Sequence, residues 1–269
     1  MADFLARAEA FNTPDREIAS SLCDIALAFS TQIIIGRTDV AATDPSRVRS
    51  ATGSIIDIGG RPCLVTNKHV LDAYREERAK GPTVFEFAGV SIDPDDRRLY
   101  AENTQVDLAV VRLDGLQIRV DRSVVAGVPD LQVFKRTDWP AEPVSVGDKV
   151  FFAGWPEVGR RFGDDDNELI FQPYAFVGVE VRTVTDDQFT CLFDRSQFSG
   201  IFGWETARQM SERELSGLSG SPIFRDFGDG VLAPDLVGFV KQYKPEYDYL
   251  IATSANNILA DGHIRPFRP

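Results

Sequence analysis

The feature that most constrains the fold is a series of short, apolar, strand-like segments that begins near residue 31. The segments are rich in Val, Ile and Phe, and Gly or Pro separates them at near-regular spacing. This pattern predicts an all-β fold of paired barrels or sandwiches, because a βαβ fold needs a helical segment after each strand. The predicted strands span residues 32–35, 53–58, 63–66, 83–87, 106–113, 149–153, 170–184, 189–193, 222–225, 236–243 and 249–252.

Two helices are predicted in the first third of the chain. After the cap-like pair Thr13-Pro14, apolar residues recur at helical spacing up to Phe29, and a second helix, rich in Glu and Arg, is predicted over 70–79. The first helix is a packing element and also a candidate docking site for a regulatory protein partner. The predicted division is a helical extension at 1–30, a first β-barrel at 31–125, a connector at 126–145, and a second β-barrel with a short C-terminal helix at 146–269.

The composition excludes several classes of function. With 29 Lys and Arg against 41 Asp and Glu, the formal net charge of −12 disfavours nucleic acid as a partner, because phosphate binding needs clustered basic residues. The three cysteines are widely spaced and the acidic loop 163–168 lacks EF-hand ligand spacing, so no disulfide framework, metal or cofactor is expected. Without a signal-peptide pattern or an apolar run long enough to span a membrane, we expect a cytoplasmic protein with no membrane partner.

His69 is one of only two histidines, and it lies near the end of the apolar run 64–71. Imidazole is the side chain best suited to proton transfer near neutral pH. A histidine at the end of a buried strand can also be a packing or capping residue, so His69 alone does not indicate catalysis.

An aspartate, Asp107, interrupts the second apolar run of interest, residues 106–113. A buried carboxylate needs a hydrogen-bond or charge partner, and the ring N–H of a histidine is one such partner. Asp107 therefore either begins the strand at a solvated loop or is held by a partner. Asp114 is the alternative acid, but it lies beside Gly115 and is typical of a turn.

A serine, Ser219, lies in the glycine-rich segment 217–222. A serine hydroxyl needs a base to become a nucleophile, and the resulting oxyanion needs backbone N–H donors. Ser216 and Ser221 are competing candidates, but Ser219 alone has glycine both two residues before it and directly after it. Such glycines allow the backbone conformations that aim N–H groups at an oxyanion.

Together, the sequences TNKHV at 66–70, VDLAV at 106–110 and GLSGSP at 217–222 resemble the three signature blocks of trypsin-like (chymotrypsin-fold) serine peptidases. They are most similar to the intracellular or bacterial branch that lacks disulfides. The resemblance implies two perpendicular, six-stranded antiparallel barrels with an active site between them, and cleavage of protein or peptide substrates. It assigns His69 as general base, Asp107 as the residue that orients it, Ser219 as nucleophile, and the N–H groups of Gly217 and Ser219 as the oxyanion hole.

Several residues depart from the family pattern. Leu218 stands where secreted members have an aspartate that pairs with a newly cut N-terminus, so activation by N-terminal cleavage is not expected. Arg213 stands where the resemblance places the base of the primary pocket; there it would favour an acidic substrate side chain, unless it is a surface residue. Lys241 and Tyr243 replace small residues in the strand that would pair with substrate, so they are candidate substrate-binding residues.

Other assignments remain open from the sequence. Ser219, Asp235 or Asp248, and His263 follow the chain order of an α/β-hydrolase triad, although the β-rich pattern disagrees with that fold. A protease scaffold that acts only as a binding module is a second alternative. A third is a latent protease controlled by a partner or a conformational switch, in which the segment 196–216 is a mobile element that orders the oxyanion hole.

Overall fold

The structure is a computed structural model of the 269-residue chain. It describes residues 16–39, 48–96, 98–118, 128–135, 142–157, 160–162, 169–193, 215–227, 234–244 and 246–266. About half of this part of the chain is β-strand and strand residues far outnumber helical residues, which confirms the all-β prediction. None of the helices within these ranges has the length and apolar character needed to cross a membrane.

The first half of the chain forms an eight-stranded sheet that curves into a half-barrel. The strands pair in the order β5-β4-β1-β2-β3-β7-β6, and β8 adds to β2 as a parallel pair. This half-barrel corresponds to the first barrel of the predicted double-barrel fold, but it has eight strands where six were predicted. Its strands are β1 (Thr31–Arg37), β2 (Val48–Ile58), β3 (Arg61–Thr66), β4 (Thr83–Phe87), β5 (Val90–Ile92), β6 (Leu99–Asn103), β7 (Leu108–Arg112) and β8 (Phe134–Lys135).

The second half forms a closed six-stranded barrel in the order β12-β13-β16-β15-β14-β9. Closure removes the free strand edges that would otherwise pair with other chains. Its interior holds an aromatic cluster in which the Phe176 ring lies 4.9 Å from Phe152 and 5.1 Å from Phe193. The barrel strands are β9 (Lys149–Gly154), β12 (Tyr174–Val184), β13 (Gln188–Leu192), β14 (Pro222–Asp226), β15 (Asp235–Lys244) and β16 (Tyr249–Ser254); β10 (Arg160–Phe162) and β11 (Leu169–Phe171) form a separate hairpin.

The N-terminal helix α1 (Arg16–Phe29) joins the cores of the two halves. Leu22, Ala26 and Leu27 are buried in one apolar cluster with Val65 of the first sheet and Phe239 of the second barrel. The predicted helix is therefore confirmed over these residues, whereas residues 1–15 lie outside the described part. Because its apolar face is used in the core, α1 can offer a partner only its remaining polar face.

The second helix, α2 (Lys68–Arg78), begins two residues earlier than the predicted helix over 70–79. His69 therefore lies in the first turn of a helix and not at the end of a strand, because β3 already ends at Thr66. The predicted short C-terminal helix is a single 3₁₀ turn, Ala255–Asn257. The acidic loop 163–168 and residues 196–214 of the predicted mobile segment lie outside the described residues.

Candidate active site

Helix α2 presents His69 from its first turn, where backbone N–H groups have no partner within the helix. The N–H of His69 donates to Oδ1 of Asp107 at 2.9 Å, so the carboxylate caps the helix. Asn67 precedes the helix but its side chain does not cap it; its amide donates to the carbonyl of Asp107 at 2.8 Å. Side chain and backbone contacts therefore tie the beginning of α2 to Asp107.

The His69 ring contacts the same carboxylate a second time. Nδ1 of His69 lies 2.7 Å from Oδ2 of Asp107. Because an ionised carboxylate can only accept, Nδ1 carries the proton in this contact, and Nε2 of the neutral ring is left as an acceptor. The His69 side chain is 48% exposed, whereas that of Asp107 is only 12% exposed. The buried acid thus fixes the orientation of an imidazole that remains accessible from outside.

Asp107 adopts an unusual backbone conformation, with φ at +57°, in the turn just before β7. Aspartate tolerates this left-handed region better than most side chains do. The turn is held by Oδ1 of Asn103, which accepts from the N–H of Gln105 at 2.8 Å and of Val106 at 3.3 Å. From the second barrel, the hydroxyl of Thr253 donates to the carbonyl of Val106 at 2.6 Å. Both halves of the molecule therefore fix the position of the acid.

Ser219 lies in a tight loop between residues 215 and 221, and its two neighbouring glycines are structurally required. Gly217 and Gly220 have φ values of +99° and +87°, which disfavour any residue with a Cβ. A Cβ at Gly217 would collide with the carbonyl of Trp155, and one at Gly220 with the carbonyl of Thr52. Within the described residues, the N–H groups of Gly217 and Ser219 bond to no carbonyl. They are therefore free to bind an anion.

Thr52 of β2 links the first sheet to the Ser219 loop. Its hydroxyl donates to the carbonyl of Gly217 at 2.6 Å and accepts from the N–H of Trp155 at 2.9 Å. Its backbone N–H donates to the carbonyl of Ser219 at 2.9 Å. Thr66 in turn donates to the carbonyl of Thr52 at 2.8 Å. The sequence did not single out Thr52, which lies just before the predicted strand 53–58 and close to two other hydroxyl residues, Ser50 and Ser54.

His69, Asp107 and Ser219 line one cleft of about 510 Å³. No hydrogen bond joins the Ser219 hydroxyl to the His69 ring, although both face this space. The complete lining within the described residues is His69, Asp107, Leu215, Ser216, Ser219, Lys241, Gln242 and Tyr243.

The competing serines and acid occupy different surroundings. Ser216 is exposed and lines the cleft, but Ser221 is fully buried and lies outside the cleft lining. Asp114 forms an exposed ion pair with Arg112 and does not line the cleft. These positions favour Ser219 over Ser221, and Asp107 over Asp114, as partners of His69.

The residues of the α/β-hydrolase alternative do not assemble around Ser219. His263 stacks on Tyr100 with ring centroids 4.9 Å apart, and Asp235 contacts Arg225 at 3.3 Å. Asp248 accepts from the hydroxyl of Tyr243 at 3.0 Å. None of these three acid or base residues lines the Ser219 cleft, so the structure separates that triad.

The structure describes two of the three candidate substrate-binding residues. Lys241 and Tyr243 line the cleft as described residues of β15, whereas Arg213 lies outside the described part. The Tyr243 side chain is buried and its ring lies 5.2 Å from that of Phe193. Tyr243 therefore fills space at the end of the cleft where a smaller residue would leave a deeper pocket.

The three cysteines are free, buried and poorly suited to act as nucleophiles. Burial raises the pKa of the Cys63 thiol to about 11 and that of Cys191 to about 12. Burial also raises the pKa of Cys23 far above its usual range. Because the thiolate is the reactive form, these side chains are inert near neutral pH. Within the described residues there is also no group of three or more His, Cys, Asp or Glu side chains placed to hold a metal ion.

Three solved structures resemble the chain in fold. The active form of the Rv3671c protease from M. tuberculosis aligns with a TM-score of 0.45 and 14% identity, over 96% of this chain and 90% of that one. Its inactive Ser-to-Ala form gives a TM-score of 0.38 and 15% identity, over 91% and 92% of the two chains. A structure from a study of the coupled folding and binding of the Sesbania mosaic virus VPg protein gives 0.41 and 14%, over 85% and 87%.

Neither the models of known protein families nor the sequences of curated proteins include a match to this chain. At the identities and TM-scores of the three solved structures, the likeness does not identify an activity or a set of functional residues. What the site can do must be inferred from its own geometry.

Proposed function

We propose that this protein is a serine endopeptidase that hydrolyses peptide bonds through a triad of Ser219, His69 and Asp107. The observation that carries the proposal is the double contact between His69 and Asp107 in the cleft that Ser219 lines. This contact fixes both the tautomer and the direction of the imidazole, which are what a general base for a serine needs.

The reaction begins when a substrate carbonyl enters the cleft beside Ser219. Nε2 of His69 takes the proton of the Ser219 hydroxyl as the oxygen attacks the carbonyl carbon, and the peptide C=O becomes a tetrahedral oxyanion. His69 then gives this proton to the leaving amine, and the C–N bond breaks to form an acyl-enzyme on Ser219. Water repeats the same proton transfers, releases the acid product and restores the serine.

The oxyanion hole in this proposal consists of the N–H groups of Gly217 and Ser219. Neither N–H has a backbone acceptor among the described residues, which supports the role, because a donor already bonded to a carbonyl could not receive the oxyanion. The Thr52 hydroxyl donates to the carbonyl of Gly217 and so fixes the peptide unit between Gly217 and Leu218. This unit lies between the two peptide units that carry the proposed N–H donors. The first sheet thus contributes to both the base and the anion site.

Regulation of the activity is the second part of the proposal. The Ser219 hydroxyl and the His69 ring are not hydrogen-bonded, which favours a form that completes its triad on binding a substrate or partner. Such contacts are often long in the absence of substrate. The same observation favours the alternative function, a catalytically inactive protease scaffold that binds other proteins.

A cytoplasmic site of action and membership of the disulfide-free branch are supported by three free cysteines.

A fluorophosphonate probe tests the proposed chemistry, because it reacts with serines that have an activating base. We expect one adduct, on Ser219, in the wild-type protein and none in His69→Ala, with Ser221→Ala as the matched control that keeps labelling. Labelling that begins only after a peptide substrate or a protein partner is added would support the regulated form. An adduct on another serine contradicts the assignment, and a folded protein that never reacts favours the binding scaffold.

A further inference from the structure

Strand β15 contains a β-bulge at the point where it borders the cleft. Val240 pairs with Ala252 and Gln242 pairs with Ile251, so Lys241 is left without a partner on β16. A bulge of this kind redirects the side chain of the extra residue and often lies beside a functional site. Here the extra residue is a lysine that lines the cleft with His69 and Ser219.

The ammonium group of Lys241 reaches across to the turn that carries Asp107. Its Nζ donates to the carbonyl of Gln105 at 3.3 Å, two residues before Asp107. An ammonium has three donors, and this single long contact to a neutral carbonyl leaves capacity for a stronger acceptor. In the part of the chain that the structure describes, no carboxylate forms an ion pair with Lys241.

The charge of the cleft also favours an anion. Asp107 is the only acidic residue among the described lining residues, and both of its carboxylate oxygens are already bonded to His69. Lys241 is the one residue with a fixed positive charge in that lining, and the exposed Gln242 and Ser216 beside it are neutral hydrogen-bonding groups. An anionic group of a substrate would therefore meet a cation for which no lining residue that the structure describes offers a free acid.

We propose that Lys241 binds a substrate carboxylate and that the cleft selects acidic peptides. This inference rests on the proposed peptidase function, because the carboxylate is that of a peptide bound across Ser219. A carboxylate is a better acceptor for an ammonium than the carbonyl of Gln105, since a charge-assisted hydrogen bond is shorter and stronger than a bond to a neutral oxygen. The carboxylate comes either from a Glu or Asp side chain or from the C-terminus of the peptide.

Binding to the Ser219→Ala variant tests this recognition without requiring any hydrolysis. The probes are randomised peptides with blocked ends that contain one fixed Glu, and the same peptides with Gln in its place. We expect the Glu peptides to bind about fivefold more tightly at low salt, with a smaller difference at high salt because ions screen the exposed pair. In a second pair, both peptides have Gln at the fixed position, and one has a free C-terminus while the other is amidated. This pair separates recognition of a side-chain carboxylate from recognition of the terminal carboxylate.

Variants of Lys241 decide whether this residue is the cause. Lys241→Met should remove the preference, Lys241→Arg should retain it, and Lys241→Glu should reverse it toward a fixed Lys in the peptide. Lys244→Met, on the same strand but outside the cleft lining, is the matched control and should leave the preference unchanged. A thermal melt of each variant checks that loss of the Gln105 contact has not unfolded the barrel.

The outcomes separate this inference from the proposed function. Equal binding of all probe pairs, or a carboxylate preference that persists in Lys241→Met, overturns the role of Lys241 while leaving fluorophosphonate labelling of Ser219 unaffected. A preference for acidic peptides in Ser219→Ala, combined with no labelling of the wild-type protein, supports the anion site and overturns the peptidase. A preference that depends only on the free C-terminus supports Lys241 and assigns the carboxylate to the end of the peptide.

Discussion

The two sides of the cleft are constructed differently. On the first-sheet side, His69 and Asp107 are joined by two hydrogen bonds, of 2.9 and 2.7 Å, and both groups are positioned without a substrate. On the barrel side, the backbone around Ser219 is fixed by bonds to Thr52 and Val240, but the hydroxyl is not bonded to His69. The comparison shows that the proposed base is preorganised, whereas the proposed nucleophile is held, among the described residues, by its main chain alone.

Removal of the base should give the largest effect. His69→Ala should lower peptide hydrolysis by at least about 10⁴-fold, because a triad without its base retains only binding and oxyanion stabilisation. Initial rates with a peptide substrate measure this loss. His263→Ala is the matched control, since His263 stacks on Tyr100 away from the cleft, and it should retain full activity.

Replacement of the orienting acid should have the next largest effect. Asp107→Asn should lower kcat by roughly 10³- to 10⁴-fold, because an amide can donate to Nδ1 and so favour the wrong tautomer of His69. The control is Asp114→Asn, which changes an exposed acid outside the cleft lining. Equal small losses in the two variants would contradict the idea that the first-sheet side is preorganised by Asp107.

The contact between the two sides is tested at Thr52. Thr52→Val removes a buried hydroxyl that bonds Gly217 and Trp155, and should lower the free energy of unfolding by about 1–3 kcal/mol. It should also lower kcat more than it raises KM, because the Gly217 peptide loses its anchor beside the oxyanion. Urea unfolding and steady-state kinetics measure the two effects. Thr52→Ser retains the hydroxyl and should restore most of both quantities.

The smallest effect is expected for alkylation of the buried thiols in the native protein. Its dependence on urea compares the unfolding of the two halves. Cys63 lies in β3 of the first sheet and Cys191 in β13 of the second barrel; burial raises the pKa of these thiols to about 11 and about 12. Neither should react with iodoacetamide at neutral pH in the native protein. In increasing urea both should become reactive together, because α1 joins the two cores. Mass spectrometry identifies the alkylated cysteine at each urea concentration. Alkylation of Cys191 at a lower urea concentration than Cys63 would show that the barrel opens independently.

Apolar strands were predictable from the sequence, and polar or very short ones were not. The predicted segments 83–87 and 149–153 correspond closely to β4 and β9. In contrast, β6 and the two-residue β8 carry no clear alternation of buried and exposed residues. These strands form because neighbouring strands supply their hydrogen bonds, and single-segment patterns do not contain that information.

The candidate site shows the same division between local and distant information. The glycines around Ser219 could be recognised because their backbone conformation is a local property. The helical position of His69 was missed because the carboxylate that caps the helix belongs to Asp107, 38 residues further along the chain, and not to Asn67. Thr52 was missed because its hydroxyl meets a carbonyl 165 residues away. Such contacts depend on how the two halves dock.

The double-mutant cycle between His69 and Asp107 tests the central claim most directly, because it measures whether the two residues act as one unit in hydrolysis. Hydrolysis rates are compared for His69→Ala, Asp107→Ala and the double variant. The account predicts that Asp107→Ala alone lowers the rate by about 10³-fold or more, but changes it less than about threefold once His69 is absent. Independent, multiplicative losses would contradict the claim that Asp107 acts through His69.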